Sequence, residues 1–265
     1  MHHRLDARRP TFPRRSRLLV ATVALALLAG CTGASDEEPA ATPSSSASTA
    51  PTTATPTPSP SATPAGPAPS RVRQVPPAQW TAMVEAGMVR PECPIQRREQ
   101  LRRVDLNFVD FAGNTRRGHL IVNADVARSI QRIFDRLFAE EFPIRRMRGV
   151  ESYGGDVAKS LAADNTSAFN CRRADQINAP FTDSPHANGR AVDINPVENP
   201  WVDLRCKCWT PSGKHAKRTP GPGKILENGL VWRVFDREGW IWQNIDVPDY
   251  MHFDTGYPSR PYARD

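Results

Sequence analysis

Between Pro77 and Phe253, apolar residues recur with two periods, one of two residues and one close to a helical turn. Pro77 to Val89 places Trp80, Met83 and Val84 on one side of a short helix. Leu101 to Phe111 alternates through Val104, Leu106 and Phe108, with Val109 at a slip, and breaks at Ala112-Gly113-Asn114. Gly118 to Val122 follows with Leu120 and Val122, so the pair predicts a hairpin over an apolar face. Asn123 can cap the next helix, Ala124 to Glu141, where Val126, Ile130, Ile133, Phe134, Leu137 and Phe138 form one broad stripe. Large residues at that spacing read as core. Pro143 stops the helix, and Ile144 to Tyr153 predicts a strand ending at Gly154-Gly155. Val157 to Ala162 predicts a short helix and Ala191 to Ile194 a short buried strand. Leu230, Val231, Val234 and Phe235 mark a last helix, closed by Gly239 at C′, before strands at Trp240 to Trp242 and Tyr250 to Phe253. The mixture predicts an α+β fold, a small antiparallel sheet with helices packed on one face.

Ahead of this frame the pattern changes. Residues 4 to 17 carry six arginines against one acid, Asp6, and precede an apolar run, Leu18 to Gly30, that is short for a membrane span. This reads as an export signal over residues 1–30. Its end, Leu28-Ala29-Gly30-Cys31, resembles the lipobox of bacterial lipoproteins. The resemblance implies lipidation at Cys31 and an extracytoplasmic protein anchored to the bacterial cell membrane. Arg14-Arg15-Ser16-Arg17-Leu18-Leu19 loosely resembles a twin-arginine signal, although a basic n-region alone accounts for it. Residues 31–75 beyond Cys31 are dominated by Thr, Pro, Ser and Ala, too few apolar side chains to offset chain entropy, and predict a disordered tether. The folded domain is therefore expected over 76–265.

Charge follows the same division. The whole chain has 35 basic and 28 acidic residues, but residues 1–30 hold six of the arginines and one aspartate, which leaves 29 against 27. No basic stripe interleaved with aromatics stands out, so nucleic acid is not an expected partner. Of five cysteines, Cys31 is set aside by the lipobox, leaving Cys93, Cys171, Cys206 and Cys208 for two disulfides in an exported protein, with three connectivities open. The expected pairing joins Cys93 to Cys171 and the two near neighbours to each other. A structural zinc site is disfavoured, because Cys206-Lys207-Cys208 leaves one residue between thiols and there is no Cys-x-x-Cys.

Two polar stretches carry candidate chemistry, Ser184 to Pro196 and Asp249 to Asp254. The first places His186 and Asp193 seven apart, and the second supplies His252 with Asp249 three residues before it. Two imidazoles and a carboxylate suit a hydrolytic zinc ion, which takes three protein ligands and keeps a fourth position for water. Asp193 lies between Val192 and Ile194, and His252 between Met251 and Phe253, so alternation sets each polar group opposite apolar neighbours. Asp249 is a candidate proton acceptor and Arg172 a candidate for the negative charge of an amide-hydrolysis intermediate. Each residue alone also fits a plainer role: a hydrogen-bonded core histidine, a turn after a strand, a solvated loop acid like Asp246, or a surface arginine like Arg173. His119 and His215, without a carboxylate at useful spacing, read as surface residues.

The ordered pattern Ser184-x-His186-x-x-Gly189-x-Ala191-x-Asp193 and Asp249-x-x-His252 resembles the M15 family of zinc D,D-carboxypeptidases and L-alanyl-D-glutamate endopeptidases. Pro143 to Met147, Asn165 to Arg172, Asp193-Ile194-Asn195-Pro196 with Asn199-Pro200, and Gly239-Trp240 extend the likeness over roughly Arg90 to Tyr257. The resemblance implies the small zinc D,D-peptidase fold, Zn2+ held by His186, Asp193 and His252, Asp249 as base, Arg172 on the substrate carbonyl, and Ser184 near the substrate. It implies a peptidase of peptidoglycan stem peptides, a D-alanyl-D-alanine carboxypeptidase or, alternatively, an L-alanyl-D-glutamate endopeptidase. A non-catalytic wall-binding lipoprotein is the reading from another class. Two departures stand out: Gln243-Asn244 where the family often has two glycines, and an insertion-like segment from Arg205 to Pro222 with two cysteines.

Overall fold

The computed structural model describes residues 67–263 apart from 174, 177–181 and 244. The export signal, Cys31, most of the tether and Asn244 lie outside the described residues.

The hairpin expected from alternation forms between β2 (Leu101–Val109) and β3 (Thr115–Asn123), paired antiparallel from Leu101↔Asn123 to Val109↔Thr115. A further strand, β1 (Arg71–Gln74), pairs antiparallel with β2. It falls in the stretch assigned to the tether, and the ordered chain therefore begins before residue 76. Its residues have few apolar side chains, and the edge position asks only for backbone pairing. Carbonyls just upstream are also used: Ala68 O accepts from Asn107 Nδ2 at 2.8 Å and from Arg117 Nη1 at 2.7 Å.

Val104, Leu106 and Phe108 of β2 and Leu120 and Val122 of β3 face α2 (Ala127–Ala139), whose Ile130, Ile133, Phe134 and Leu137 are buried with them. Asn123 does not cap this helix with its side chain; Val126 occupies the N-cap position. The Asn123 amide instead donates to Asn188 O at 2.9 Å, tying the end of β3 to the loop that holds His186. Helices do not lie on one face alone. By alternation Leu101 and Ile121 point the other way, where they meet Met83 of α1 (Pro77–Glu85), Val75, Phe169 and the buried Cys93–Cys171 pair. Val84, expected beside Met83, is 44 % exposed. His119, expected at the surface, is partly buried, with its Nε2 2.9 Å from Gln79 Nε2 and 3.9 Å from Glu151 Oε1.

The stretch from Ile144 to Tyr153 is a strand only over β4 (Arg146–Met147); Val150–Tyr153 winds into a 3-10 turn closed by Gly154 at φ +65°. Side-chain hydrogen bonds replace the ladder there. Asn165 Oδ1 accepts from Arg148 N at 3.0 Å, and its Nδ2 donates to Arg148 O at 3.0 Å. Helix α3 (Val157–Ala162) starts with Asp156 accepting from Lys159 N, and β5 (Asn165–Thr166) pairs parallel with β4.

The remaining elements are β6 (Ala191–Asp193), β7 (Trp201–Asp203), β8 (Cys208–Thr210), α4 (Leu230–Arg237), β9 (Ile241–Trp242) and β10 (His252–Asp254). Strands β6, β10 and β9 form a second antiparallel sheet in that order, and β7 with β8 forms a hairpin whose turn carries Cys206–Cys208. Val192, Ile194 and Phe253 enter the same core as α2 and α4, with Phe253 stacked on Phe235 at 4.0 Å between ring centroids. Gly239 takes φ +77° after α4, where a Cβ would be strained, and so ends the helix. The fold is α+β, built from small sheets that are antiparallel except for the two-stranded β4–β5 pair.

Both expected disulfides are present, but they are unequal. Cys93 and Cys171 are buried and separated by 78 residues, whereas Cys206 and Cys208 are separated by two. Loop-closure entropy then gives about 4.5 kcal/mol for the first and about 1.5 kcal/mol for the second. Urea denaturation should accordingly show Cys93→Ser with Cys171→Ser losing more than twice the stability lost by Cys206→Ser with Cys208→Ser.

Candidate metal centre

His186 sits in the tight turns that precede β6. Gly189 N donates to His186 O at 3.0 Å and Arg190 N to Pro185 O at 2.7 Å, so the loop folds back on itself. Gly189 has φ +68°, and a Cβ there would stand 2.6 Å from Asn123 N, so only glycine permits this approach to β3. The turn brings His186 over Asp193. From the other side, β10 pairs with β6 in the register His252↔Asp193. Since Val192, Ile194 and Phe253 enter the core, Asp193, His252 and Asp254 must point the opposite way.

The three donor atoms make a nearly equilateral triangle. His186 Nε2 lies 3.2 Å from Asp193 Oδ1 and 3.1 Å from His252 Nδ1, which is 3.2 Å from the same Asp193 oxygen. A tetrahedral zinc ion with ligands at about 2.0–2.1 Å requires edges of about 3.3 Å. The outward ring atoms are already engaged. His186 Nδ1 lies 2.7 Å from Ala168 O, which accepts its proton, and His252 Nε2 lies 2.9 Å from Asp254 Oδ2. Each ring is thereby left with one nitrogen free to ligate and is held in orientation. All three residues are buried, and the N, N, O set with room for a fourth ligand fits a catalytic zinc.

Electrostatics agree with that fit. Burial opposes charge on Asp193, yet His186 and His252 hold its carboxyl well below the usual range. Burial likewise opposes charge on His252, but hydrogen bonds to Asp193 and Asp254 raise its pKa to about 10. The triangle thus attracts positive charge strongly, as a proton or as a metal ion.

A cavity of about 170 Å3 opens beside the triangle and is lined by Arg172, Ser184, Asp249, His186, Asp193 and His252, with Val157, Leu161, Trp201, Met251, Ile245 and Tyr257 forming its apolar walls. All the expected site residues in the described part of the chain therefore come together. Asp249 Oδ1 is buried without a hydrogen-bond partner, and desolvation raises the carboxyl to about 7, with His252 and Arg172 opposing the rise. Asp246, the plainer comparison, is exposed. Arg172 Nε is also buried without a partner; burial lowers the pKa of the guanidinium, while Asp193 and Asp249 counter it. The backbone of Arg172 is set by the adjacent Cys93–Cys171 bond and by Arg90 Nη2, which donates to Arg172 O at 2.8 Å. His119 and His215 do not line this cavity.

Two contributions escaped the sequence reading. Asp254 supports His252 and was detectable as His-x-Asp, since residues two apart on a strand share a face. Gln243, one of the two departures, accepts from Asp249 N at 3.2 Å through Oε1 and has φ +52°, a backbone region that favours the glycine usual there.

If Asp254 orients His252, Asp254→Ala should weaken zinc binding about 10- to 100-fold in competition with a chelator. Zinc should also leave on acidification, because protons take over the imidazole and carboxylate atoms it needs.

Residues 178–255 match a family model described as D-alanyl-D-alanine carboxypeptidase. Comparison with curated proteins and with solved structures gives no match. The matched segment, less than a third of the chain, contains Ser184, His186, Asp193, Asp249 and His252, and supports membership of the M15 peptidase family.

Proposed function

We propose that the protein is a zinc-dependent peptidase of peptidoglycan stem peptides, acting as a D-alanyl-D-alanine carboxypeptidase. The observation that carries this reading is the triangle of His186 Nε2, Asp193 Oδ1 and His252 Nδ1 beside a cavity that also holds an unpartnered carboxylate oxygen and an unpartnered guanidinium nitrogen. The description of the matched family favours the carboxypeptidase over the L-alanyl-D-glutamate endopeptidase.

When bound by His186, Asp193 and His252, zinc supplies Lewis acidity and brings the pKa of water down to about 7. Asp249 takes the proton of the attacking water and returns it to the departing amine. Its raised pKa suits both halves of that task, and a nearby dication favours the carboxylate form. Arg172 donates to the oxyanion that develops on the substrate carbonyl. Ser184, at the cavity wall, contacts the peptide, and the apolar walls exclude water from the reacting bond.

A wall substrate also requires export. The reading of residues 1–30 as a signal, Cys31 as the lipidated residue and 31–75 as largely a tether places the domain on the outer side of the cell membrane, within reach of the wall. A non-catalytic wall binder explains less, because binding alone needs no buried carboxylate at the position of Asp249.

Full-length protein incubated with purified muropeptides should release free D-alanine, detected by mass analysis, and a zinc chelator should abolish the release. Stem peptides severed after L-alanine would instead establish the endopeptidase, and wall binding without any product would establish the binder. Asp249→Asn should keep zinc while kcat falls at least about 100-fold. In the native enzyme turnover should decline with acid as Asp249 takes up a proton, with the midpoint below the value of about 7 to which burial raises the carboxyl, because the dication favours the carboxylate. For the anchor, Cys31→Ala should move the protein from the membrane fraction to the soluble fraction; retention in the membrane would point to an uncleaved helix as the anchor.

A further inference from the structure

The segment Arg205 to Pro222, unusual in the sequence, packs against the loop that carries Asp249. Tyr250 follows Asp249 directly, and two residues of that segment engage its ring. Trp209 of β8 stacks on it with centroids 5.4 Å apart and planes 21° apart, and the Arg218 guanidinium lies 4.3 Å from its centroid. Arg218 is itself fixed by four acceptors. Its Nη1 donates to Glu198 O at 3.1 Å and His215 O at 3.0 Å, and its Nη2 to Asn199 Oδ1 and Ile225 O, both at 2.8 Å. A planar fork that bonds along its edge while stacking on an aromatic face is arginine geometry that lysine cannot reproduce.

The backbone of the loop is tied to the same region. Val202 N of β7 donates to Pro248 O at 2.8 Å, Tyr250 N donates to Pro200 O at 3.3 Å, and Trp201 bridges to Asp249. Trp201 also lines the cavity. The Asp249 carboxyl has little of its own to orient it, since Oδ1 has no hydrogen-bond partner. Its placement must therefore come through the backbone of residues 248–251.

We propose that Arg218 is a positioning residue which, by clamping the Tyr250 ring against Trp209, sets where the Asp249 carboxylate stands in the cavity. The clamp stands on geometry alone; its catalytic consequence rests on the reading of Asp249 as the base. The segment from Arg205 to Pro222 is then the mount of the base loop, and substitutions well outside the cavity alter turnover through it.

The test uses full-length Arg218→Met, Tyr250→Leu and Tyr250→Phe proteins, with hydrogen exchange of residues 249–252, zinc content, thermal melting and muropeptide kinetics. Arg218→Met and Tyr250→Leu should exchange the amides of 249–252 at least about tenfold faster. They should retain native zinc content and lose about 10- to 100-fold in kcat, with KM within about twofold. Tyr250→Phe, which keeps the ring, should behave as the native protein. Native exchange rates in Arg218→Met or Tyr250→Leu would overturn the proposal. So would loss of zinc or of cooperative melting in Tyr250→Leu, which would make the ring a general part of the fold. If the native protein cleaves no stem peptide, the peptidase reading fails by itself, while the exchange rates still decide the clamp.

Discussion

His252 stands opposite Asp193 because β6 and β10 pair antiparallel in one register, and the rest of the centre depends on that pairing. Side chains alternate along a strand, so a slip of one residue would turn Phe253 towards the cavity and His252 into the core. Packing holds the register: Val192, Ile194 and Phe253 share the core with Phe134, Phe235 and Trp240, and Phe253 stacks directly on Phe235. The apolar neighbours of each ligand thus do more than fill space. They decide which way the ligands point.

A triangle of donors with edges near 3.2 Å is unfavourable to assemble without a cation, because it gathers a carboxylate and two ring nitrogens where water is scarce. The surrounding structure compensates by engaging the far side of each ring. Ala168 O receives His186, and Asp254, itself fully buried, receives His252. Asp254 also accepts from Gly256 N at 2.8 Å, so a chain of hydrogen bonds runs outward from the centre to the backbone. The atoms left without partners, on Asp249 and Arg172, face the same cavity, where a substrate's developing charges would meet them.

Several features that the sequence presents as separate are joined by packing. The Cys93–Cys171 bond belongs to the cluster on the far face of the β1–β3 sheet, yet it also sets the chain that leads into Arg172. The β7–β8 hairpin supplies Trp201 to the cavity wall and Trp209 to Tyr250, so the insertion-like segment packs against the residue that follows Asp249. Gln243, a departure from glycine, holds the amide of Asp249.

Local sequence determined the hairpin of Leu101 to Asn123, the amphipathic stripe of the long helix, α3 with its Asp156 cap and the glycine that ends α4, because periodicity and backbone preference act over a few residues. It also identified His186, Asp193, His252, Asp249 and Arg172 as a set, since apolar flanks mark a strand-borne polar residue and the ordered motifs resemble one family. Tertiary structure alone decided the edge strand at Arg71 to Gln74, which has no apolar pattern and exists only because β2 offers unpaired backbone. It likewise decided that Ile144 to Tyr153 would break after two paired residues, since a side chain 17 positions away, Asn165, takes the hydrogen bonds a longer strand would have made. The placement of Arg218 against Tyr250 is of the same kind: 32 positions separate them in the chain, and no local preference reports a contact that exists only when two distant segments are folded together.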